Sequence, residues 1–148
     1  MDPQEYLLDW AFHYAQHKTV FHSSGEEVSK HPGEVKVKGK ETLTYIPVVD
    51  LEGFKPHKPA AGESIYIVTF NTEDNLDTMV KHWKTFSETK NILVIFLNPF
   101  SRLDKKWSIH PYIHNRICDE KALKPGLKSI AANVDGFKKS DFAKLKTP

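Results

Sequence analysis

Apolar residues recur three and four positions apart over the first part of the chain. Between Glu5 and Lys18 they share one face, which predicts an amphipathic helix. Asp2 and Pro3 suit its start, because an acidic cap accepts from free backbone N–H groups and proline lacks the N–H that would be unpaired there. The cluster Ser23-Ser24-Gly25 is expected to end the helix.

The next segment changes to the two-residue period of β-strands. Residues 35–38 alternate valine and lysine, and residues 42–46 follow a glycine-containing turn, so together they predict a hairpin at the periphery of a sheet. Pro47 cannot donate a ladder hydrogen bond, so we expect the second strand to bulge near its end or to lie at an edge. A shorter strand over 27–30 could precede the hairpin. Residues 53–62, with two prolines and two glycines, predict a loop within the domain.

Two continuous apolar runs predict the centre of the sheet. Residues 65–70 and 92–97 are rich in β-branched and aromatic side chains, as expected for strands buried on both faces. Between them, residues 72–89 carry apolar side chains at helical spacing after a cap at Asn71 or Thr72. Parallel strands joined by a helical crossover are the geometry that this pattern favours.

The rest of the chain is less regular until a last helix. Residues 107–112 could form a short extended piece, and residues 122–134 repeat apolar side chains on one helical face. Residues 137–148 are rich in lysine and predict a basic tail or a short final helix. The sequence thus predicts a single α/β domain over residues 1–136, with an α+β arrangement as the alternative. Its mixed sheet has about 4–5 strands in the order α-β-β-β-α-β-α.

Composition indicates an ordinary globular domain and excludes other classes. The 148 residues are 39% hydrophobic with a formal net charge of +2, which is not the composition of a disordered chain. The longest apolar run spans six residues, whereas a bilayer requires roughly 20, and the acidic start lacks the pattern of a signal peptide. Because Cys118 is the single cysteine, no internal disulfide can form, and we expect a cytoplasmic protein without a membrane segment.

Charge is unevenly distributed along the chain. Residues 1–98 contain 10 Lys and Arg against 14 Asp and Glu, whereas residues 99–148 contain 11 against 5, so the balance changes from −4 to +6. Cations alternate with aromatic residues within the basic part. Since aromatic rings stack on bases and cations bind phosphates, this segment predicts a surface for nucleic acid or another polyanion. The predicted binding residues are Arg102, Lys105, Lys106, Trp107, His110, Tyr112, His114 and Arg116.

Several of these positions have a structural interpretation as well. Trp107 could anchor the connection by burial while neighbouring cations face the solvent. Asn71 and Asn98 follow the two buried strands, where open α/β sheets bind ligands, although asparagine also forms caps and turns at such positions. Cys118 precedes two acidic residues, which disfavour a reactive thiolate.

The order of elements resembles the core of restriction-endonuclease-like nucleases, in which a helix precedes three meandering strands, a helix and a fourth strand. This resemblance implies an acid after the second core strand and an acid-x-Lys sequence on the third, which would hold Mg²⁺ and position the attacking water. Asp50 takes the first position, and Glu5 and Glu63 are candidates for the other acids. The strand after Glu63 lacks the lysine, and Glu34-Val35-Lys36 lies on the hairpin instead. The resemblance therefore implies a nuclease or a catalytically silent relative.

Other catalytic motifs are absent from the sequence. It contains no glycine-rich phosphate loop, no GxGxxG and no GxSxG. The pairs His13/His17 and His110/His114 have a spacing that suits a metal ion, but neither has a defined third ligand, so the sequence leaves metal binding undecided. We expect a non-catalytic binding protein without a cofactor. The alternatives are an Mg²⁺-dependent nuclease and a protein–protein interaction module that docks through Trp107 and the basic tail.

Overall fold

The structure, a computed structural model, describes residues 1–22 and 26–148, so the helix end expected at residues 23–25 lies outside the described part. None of the helices in that part is long and apolar enough to cross a membrane.

The helices are α1 (Pro3–His22), α2 (Glu73–Lys81), α3 (Trp83–Ser87), α4 (Pro111–Ile117) and α5 (Leu123–Ala131), with short 3₁₀ helices at Glu120–Ala122 and Lys139–Lys144. The strands are β1 (Glu27–His31), β2 (Glu34–Lys38), β3 (Thr42–Pro47), β4 (Glu63–Phe70), β5 (Ile92–Leu97) and β6 (Lys106–Ile109).

The described strands form one mixed sheet in which neighbours in space are also neighbours in sequence. Strands β1, β2 and β3 are antiparallel, β3, β4 and β5 are parallel, and β6 returns antiparallel to β5. The predicted α/β class with a single mixed sheet is confirmed. The sheet has six strands rather than about 4–5, because short segments at both edges also pair.

The hairpin lies deeper in the sheet than predicted. Strand β3 is an interior strand between β2 and β4, so the prediction that this strand lies at an edge of the sheet is wrong. Its register with β4 is continuous and ends at the pair Pro47–Val68. The last described pair between β2 and β3 joins Val35 to Tyr45. Pro47 therefore lies beyond the N-terminal end of β2. No backbone N–H is needed there for a ladder hydrogen bond to β2, so proline is tolerated.

Helices cover the sheet on both faces, because successive strand residues point to opposite sides. On one face, α2, α3 and α5 bury Ile67, Val94 and Phe96. On the other, which we call the α1 face, α1 buries the alternate residues Ile95 and Leu97. The structure therefore has three layers, with an apolar core on each side of the sheet.

Residues after Gly136 pack into the domain. Phe137 and Leu145 are buried on the α1 face, and the ring of Phe137 stacks on Phe70 with 4.4 Å between centroids. The backbone N–H of Phe137 also donates to the carbonyl of Asn71 at 2.8 Å. The packed domain thus extends to Leu145, past the expected boundary at residue 136, and the lysine-rich end forms a short 3₁₀ helix.

Candidate polyanion-binding site

A cavity of about 360 Å³ opens on the sheet where β4 and β5 begin. Tyr112, in the first turn of α4, lines it, and we call it the Tyr112 cavity. The Lys90 ammonium lies 5.6 Å from the centroid of the Tyr112 ring. The Arg116 guanidinium lies 4.3 Å from the same centroid and donates to the Tyr112 hydroxyl. His110 and Tyr66 also line the cavity.

The strand register brings these residues together although they are distant in sequence. Because β5 and β6 are antiparallel with Val94 opposite Ile109, the residues before β5 and after β6 meet at the same end of the sheet. Lys90 and Asn91 form the turn into β5, and Asn91 has a φ of 63°, a left-handed conformation that asparagine tolerates better than most residues. After β6, His110 occupies the N-cap position of α4 and Pro111 occupies its first turn.

The cavity favours anions. Lys90 and Arg116 are positively charged at neutral pH, and among the described residues that line the cavity none is acidic. Near a protein surface, two unit charges 4 Å apart interact by about 4 kcal/mol at an effective dielectric constant of 20. Cations placed against an aromatic ring are also the combination that binds phosphates and bases. The geometry therefore suits an anionic ligand with a flat, apolar part.

Trp107 does not contribute to this surface. Its side chain is only 6% exposed and stacks on Phe96 with 4.4 Å between centroids and 6° between planes. Its indole N–H donates to the side-chain oxygen of Asn71 at 2.8 Å. The residue therefore anchors β6 to the core, and its buried ring does not offer a base a stacking surface.

His114 points away from the cavity as well. Its ring meets Trp83 edge-on with 5.8 Å between centroids, on the side of α4 that packs against α3. The indole N–H of Trp83 donates to the side-chain oxygen of the next residue, Asn115. We therefore assign His114 to the packing of α4.

The other predicted cations lie at the opposite end of β6. Arg102 is highly exposed and pairs with Asp135 at 3.8 Å. The Lys105 ammonium donates to the carbonyls of Pro99 and Ser101. Lys106 lies on the α1 face, opposite Leu97 in the register. The predicted binding set is thus divided between the two ends of a strand that, at about 3.3 Å per residue, is roughly 13 Å long.

Basic residues nearer the C-terminus do not extend this surface. Lys124 pairs with Asp77 at 3.9 Å across the layer of α2 and α5, which covers the opposite face of the sheet. Lys144 pairs with Asp141 at 3.1 Å. The surplus of positive charge after residue 98 is therefore distributed over several sides of the molecule.

Asn71 and Asn98 have structural roles. The side-chain amide of Asn71 donates to the carbonyls of Val134 and Asp135, and that of Asn98 also donates to the Asp135 carbonyl, at 2.8 Å. Both asparagines are almost fully buried. They therefore attach the chain after α5 to the ends of β4 and β5, and their burial disfavours the alternative as ligand-binding groups.

The acids suggested by the nuclease resemblance are not assembled into one site. Glu63 pairs with Thr42 at the start of β3, whereas Asp50 follows the end of that strand. The length of β3 from Thr42 to Pro47 separates the two acids by roughly 17 Å at about 3.3 Å per residue, which is too far for them to share a metal ion. Asp50 accepts the backbone N–H of Glu52, and Glu63 accepts that of Ala60. Both carboxylates thus stabilise turns.

Further features depart from that resemblance. Strand β4, which precedes α2, is parallel to β3, whereas a meander would make it antiparallel. Glu5 lies exposed in the first turn of α1. The ring of His13 donates to the carbonyl of Asp9 at 2.7 Å. Among the described residues, no three His, Cys, Asp or Glu side chains are grouped so that they could hold a metal ion.

A larger cavity, of about 730 Å³, lies at the carboxyl end of β3 and β4 and has the opposite charge character. Its lining contains two lysines, Lys81 and Lys139, and a larger number of acids. The acids are Asp50, Glu52, Glu73, Asp74 and Asp77. A surface with this excess of negative charge repels a polyanion.

Two residues of the Tyr112 cavity, Lys90 and Tyr66, are not among the binding residues predicted from the sequence. Neither belongs to the basic segment, and only the strand register shows that they are its neighbours. Trp10 and Tyr14, which lie near Lys106, are not among the predicted residues either. Their spacing of four residues on a helix was an available signal.

No protein-family model, curated protein or solved structure matches this chain.

Proposed function

We propose that this protein binds nucleic acid, or another polyanion, through the Tyr112 cavity and catalyses no reaction. The observation that carries this proposal is the grouping of Lys90, His110, Tyr112 and Arg116 in one cavity. Its support comes from residue chemistry, because guanidinium and ammonium groups bind phosphate oxygens and an aromatic ring contacts bases or sugars.

The proposal predicts a measurable dependence on salt. Each phosphate that a cation neutralises releases bound counterions, so log affinity falls with log salt concentration by about 0.7 per contact for single strands and 0.9 for duplexes. Contacts from the two cations of the Tyr112 cavity, Lys90 and Arg116, would give a slope of roughly −1.4 to −1.8. The measurement is fluorescence anisotropy of labelled DNA and RNA at several salt concentrations.

A pair of double variants localises the interaction. Lys90→Ala with Arg116→Ala should weaken binding and make the salt slope shallower by about 1.4–1.8. The matched control removes two exposed lysines that do not line this cavity, Lys121→Ala with Lys128→Ala, and should leave the slope unchanged. Absence of binding at low salt, or equal effects of both double variants, would refute the proposal.

The alternatives have less support from the geometry. An interaction module that docks through Trp107 and a free basic tail would need both to be accessible, whereas Trp107 and Leu145 are buried. A nuclease would need its acids at one point of the sheet. A cytoplasmic location remains an inference from the single cysteine, Cys118, which is exposed as a free thiol.

A further inference from the structure

A third cavity, of about 580 Å³, lies on the α1 face at the other end of β6. It separates α1 from the loop that follows β5, and we call it the Trp10 cavity. Trp10 and Tyr6 line it from the helix, and Lys105 and Lys106 line it from the opposite wall. Among its described lining residues one is acidic, Asp104. The cavity therefore combines aromatic surface with positive charge.

The aromatic wall belongs to a stripe along α1. Tyr6, Trp10 and Tyr14 follow each other at four-residue intervals, which places them on one side of the helix. The rings of Trp10 and Tyr14 stack with 4.7 Å between centroids and 13° between planes. The ammonium groups of Lys18 and Lys106 lie 5.0 and 5.3 Å from the centroid of Tyr14. Cations thus flank the stripe at its carboxyl end.

The two cavities open on the same face of the sheet. Lys106 and Ser108 pair with Leu97 and Ile95, whose side chains are buried on the α1 face, and directly opposed residues share a face. His110, two residues further, continues this alternation into the Tyr112 cavity. Lys106 and His110 are four residues apart, which corresponds to roughly 13 Å. One extended ligand could therefore contact both cavities along β6.

We infer that the Trp10 cavity binds a nucleobase by stacking, so that the ligand is a single-stranded nucleic acid lying along β6. This inference rests on the proposed function and specifies that the nucleic acid is single-stranded. In a duplex the bases are stacked within the helix, whereas a single strand can place a base against an aromatic side chain while its phosphates contact cations. The stripe beside Lys105 and Lys106 provides both contacts.

Tryptophan fluorescence can test the stacking directly. All three tryptophans lie in the described residues, and Trp83 and Trp107 are buried with their indole N–H groups bonded to asparagines. Trp10 is half-buried and lines the cavity. Stacking of a base on Trp10 should therefore quench the fluorescence of the wild-type protein, and Trp10→Phe should remove that change.

Affinity measurements separate stacking from charge. The ligands are a labelled oligothymidine and an abasic strand with the same number of phosphates. Trp10→Leu should weaken oligothymidine binding by about 5- to 150-fold without changing the salt slope, and should leave abasic binding unchanged. Trp10→Phe keeps an aromatic ring and should retain most of the affinity. Far-UV circular dichroism of both variants verifies their folding.

The outcomes distinguish this inference from the proposed function. If both strands bind equally, and both are weakened by Lys90→Ala with Arg116→Ala, the protein binds polyanions and the stacking site is refuted. If oligothymidine binding depends on Trp10 but not on Lys90 and Arg116, the stacking site stands and the Tyr112 cavity is refuted. If neither strand binds at low salt, both proposals are wrong.

Discussion

Asn71→Ala should destabilise the protein more than an ordinary surface substitution, because Asn71 joins three parts of the fold. Its side-chain oxygen accepts the indole N–H of Trp107 on β6, and its amide donates to the carbonyls of Val134 and Asp135 at 3.2 and 3.3 Å. Alanine removes all of these side-chain bonds. The backbone bond from Phe137 to the carbonyl of Asn71 remains.

The size of the effect follows from which groups lose their partners. The indole N–H of Trp107 loses its acceptor in a buried position, and the Val134 carbonyl loses its donor. The Asp135 carbonyl still accepts from Asn98. A buried group left without its partner costs about 1–3 kcal/mol. Two such groups give a loss of roughly 2–6 kcal/mol in the free energy of unfolding.

Urea denaturation monitored by circular dichroism measures this loss, and a double-mutant cycle with Trp107→Phe assigns it. Phenylalanine has no indole N–H, so in that background Asn71→Ala should cost about 1–3 kcal/mol less. The control is Asn133→Ala, at an exposed asparagine whose side chain donates to the Ile130 carbonyl. It should change stability by less than about 0.5 kcal/mol.

Two results would refute this reasoning. A loss below about 1 kcal/mol for Asn71→Ala would mean that water or a local rearrangement satisfies the indole donor. Additive effects in the cycle would mean that Asn71 and Trp107 stabilise the fold independently.

Three further predictions concern other parts of the chain. Gly33→Ala should lower stability by about 1 kcal/mol in urea denaturation, because the φ of 76° there strains a side-chain-bearing residue although the surrounding space is open. The backbone N–H of Lys138 and the Lys144 ammonium lower the pKa of Asp141. The ionised Asp141 carboxylate should therefore stabilise the fold at pH values above the ordinary carboxyl pKa. This stabilisation should be lost as the pH falls through the lowered pKa of Asp141. In urea denaturation at several pH values, Asp141→Asn should therefore destabilise the protein at neutral pH and have less effect in acid. A chain that ends at Gly136 should unfold at lower urea concentration or lack near-ultraviolet circular dichroism, because it lacks the buried side chains of Phe137 and Leu145.

The parts of the fold that were predictable are those in which burial dominates the local sequence. Strands β4 and β5 are continuous apolar runs, and α1 and α5 repeat apolar residues at helical spacing. Strand β6 was harder to predict, because only Trp107 and Ile109 of its four residues are apolar. The C-terminal packing was hidden for a similar reason, since Phe137 and Leu145 are separated by a lysine-rich stretch.

The candidate site was only partly predictable, because its composition depends on long-range pairing. The sequence identified Tyr112 and Arg116, which are neighbours on one helix turn. Lys90 lies beside these residues because β5 pairs antiparallel with β6, and the local periodicity of the sequence does not specify that pairing. Trp107 was predicted to bind but does not belong to the site. An aromatic residue among cations in the sequence is typical of a binding segment, and local sequence does not show that the ring is buried.

The proposed binding of a polyanion depends on the distribution of charge rather than on the net charge. A formal net charge of +2 on 148 residues gives little long-range attraction. At physiological ionic strength the Debye length is about 8 Å, so a ligand responds mainly to the charges within that distance. A strand along β6 would meet Lys106 near one end and Lys90 with Arg116 at the other, whereas the acids at the carboxyl end of β3 and β4 line a different cavity. Lower salt lengthens the range of both sets of charges, so removal of those acids should raise affinity more at low salt than at physiological salt.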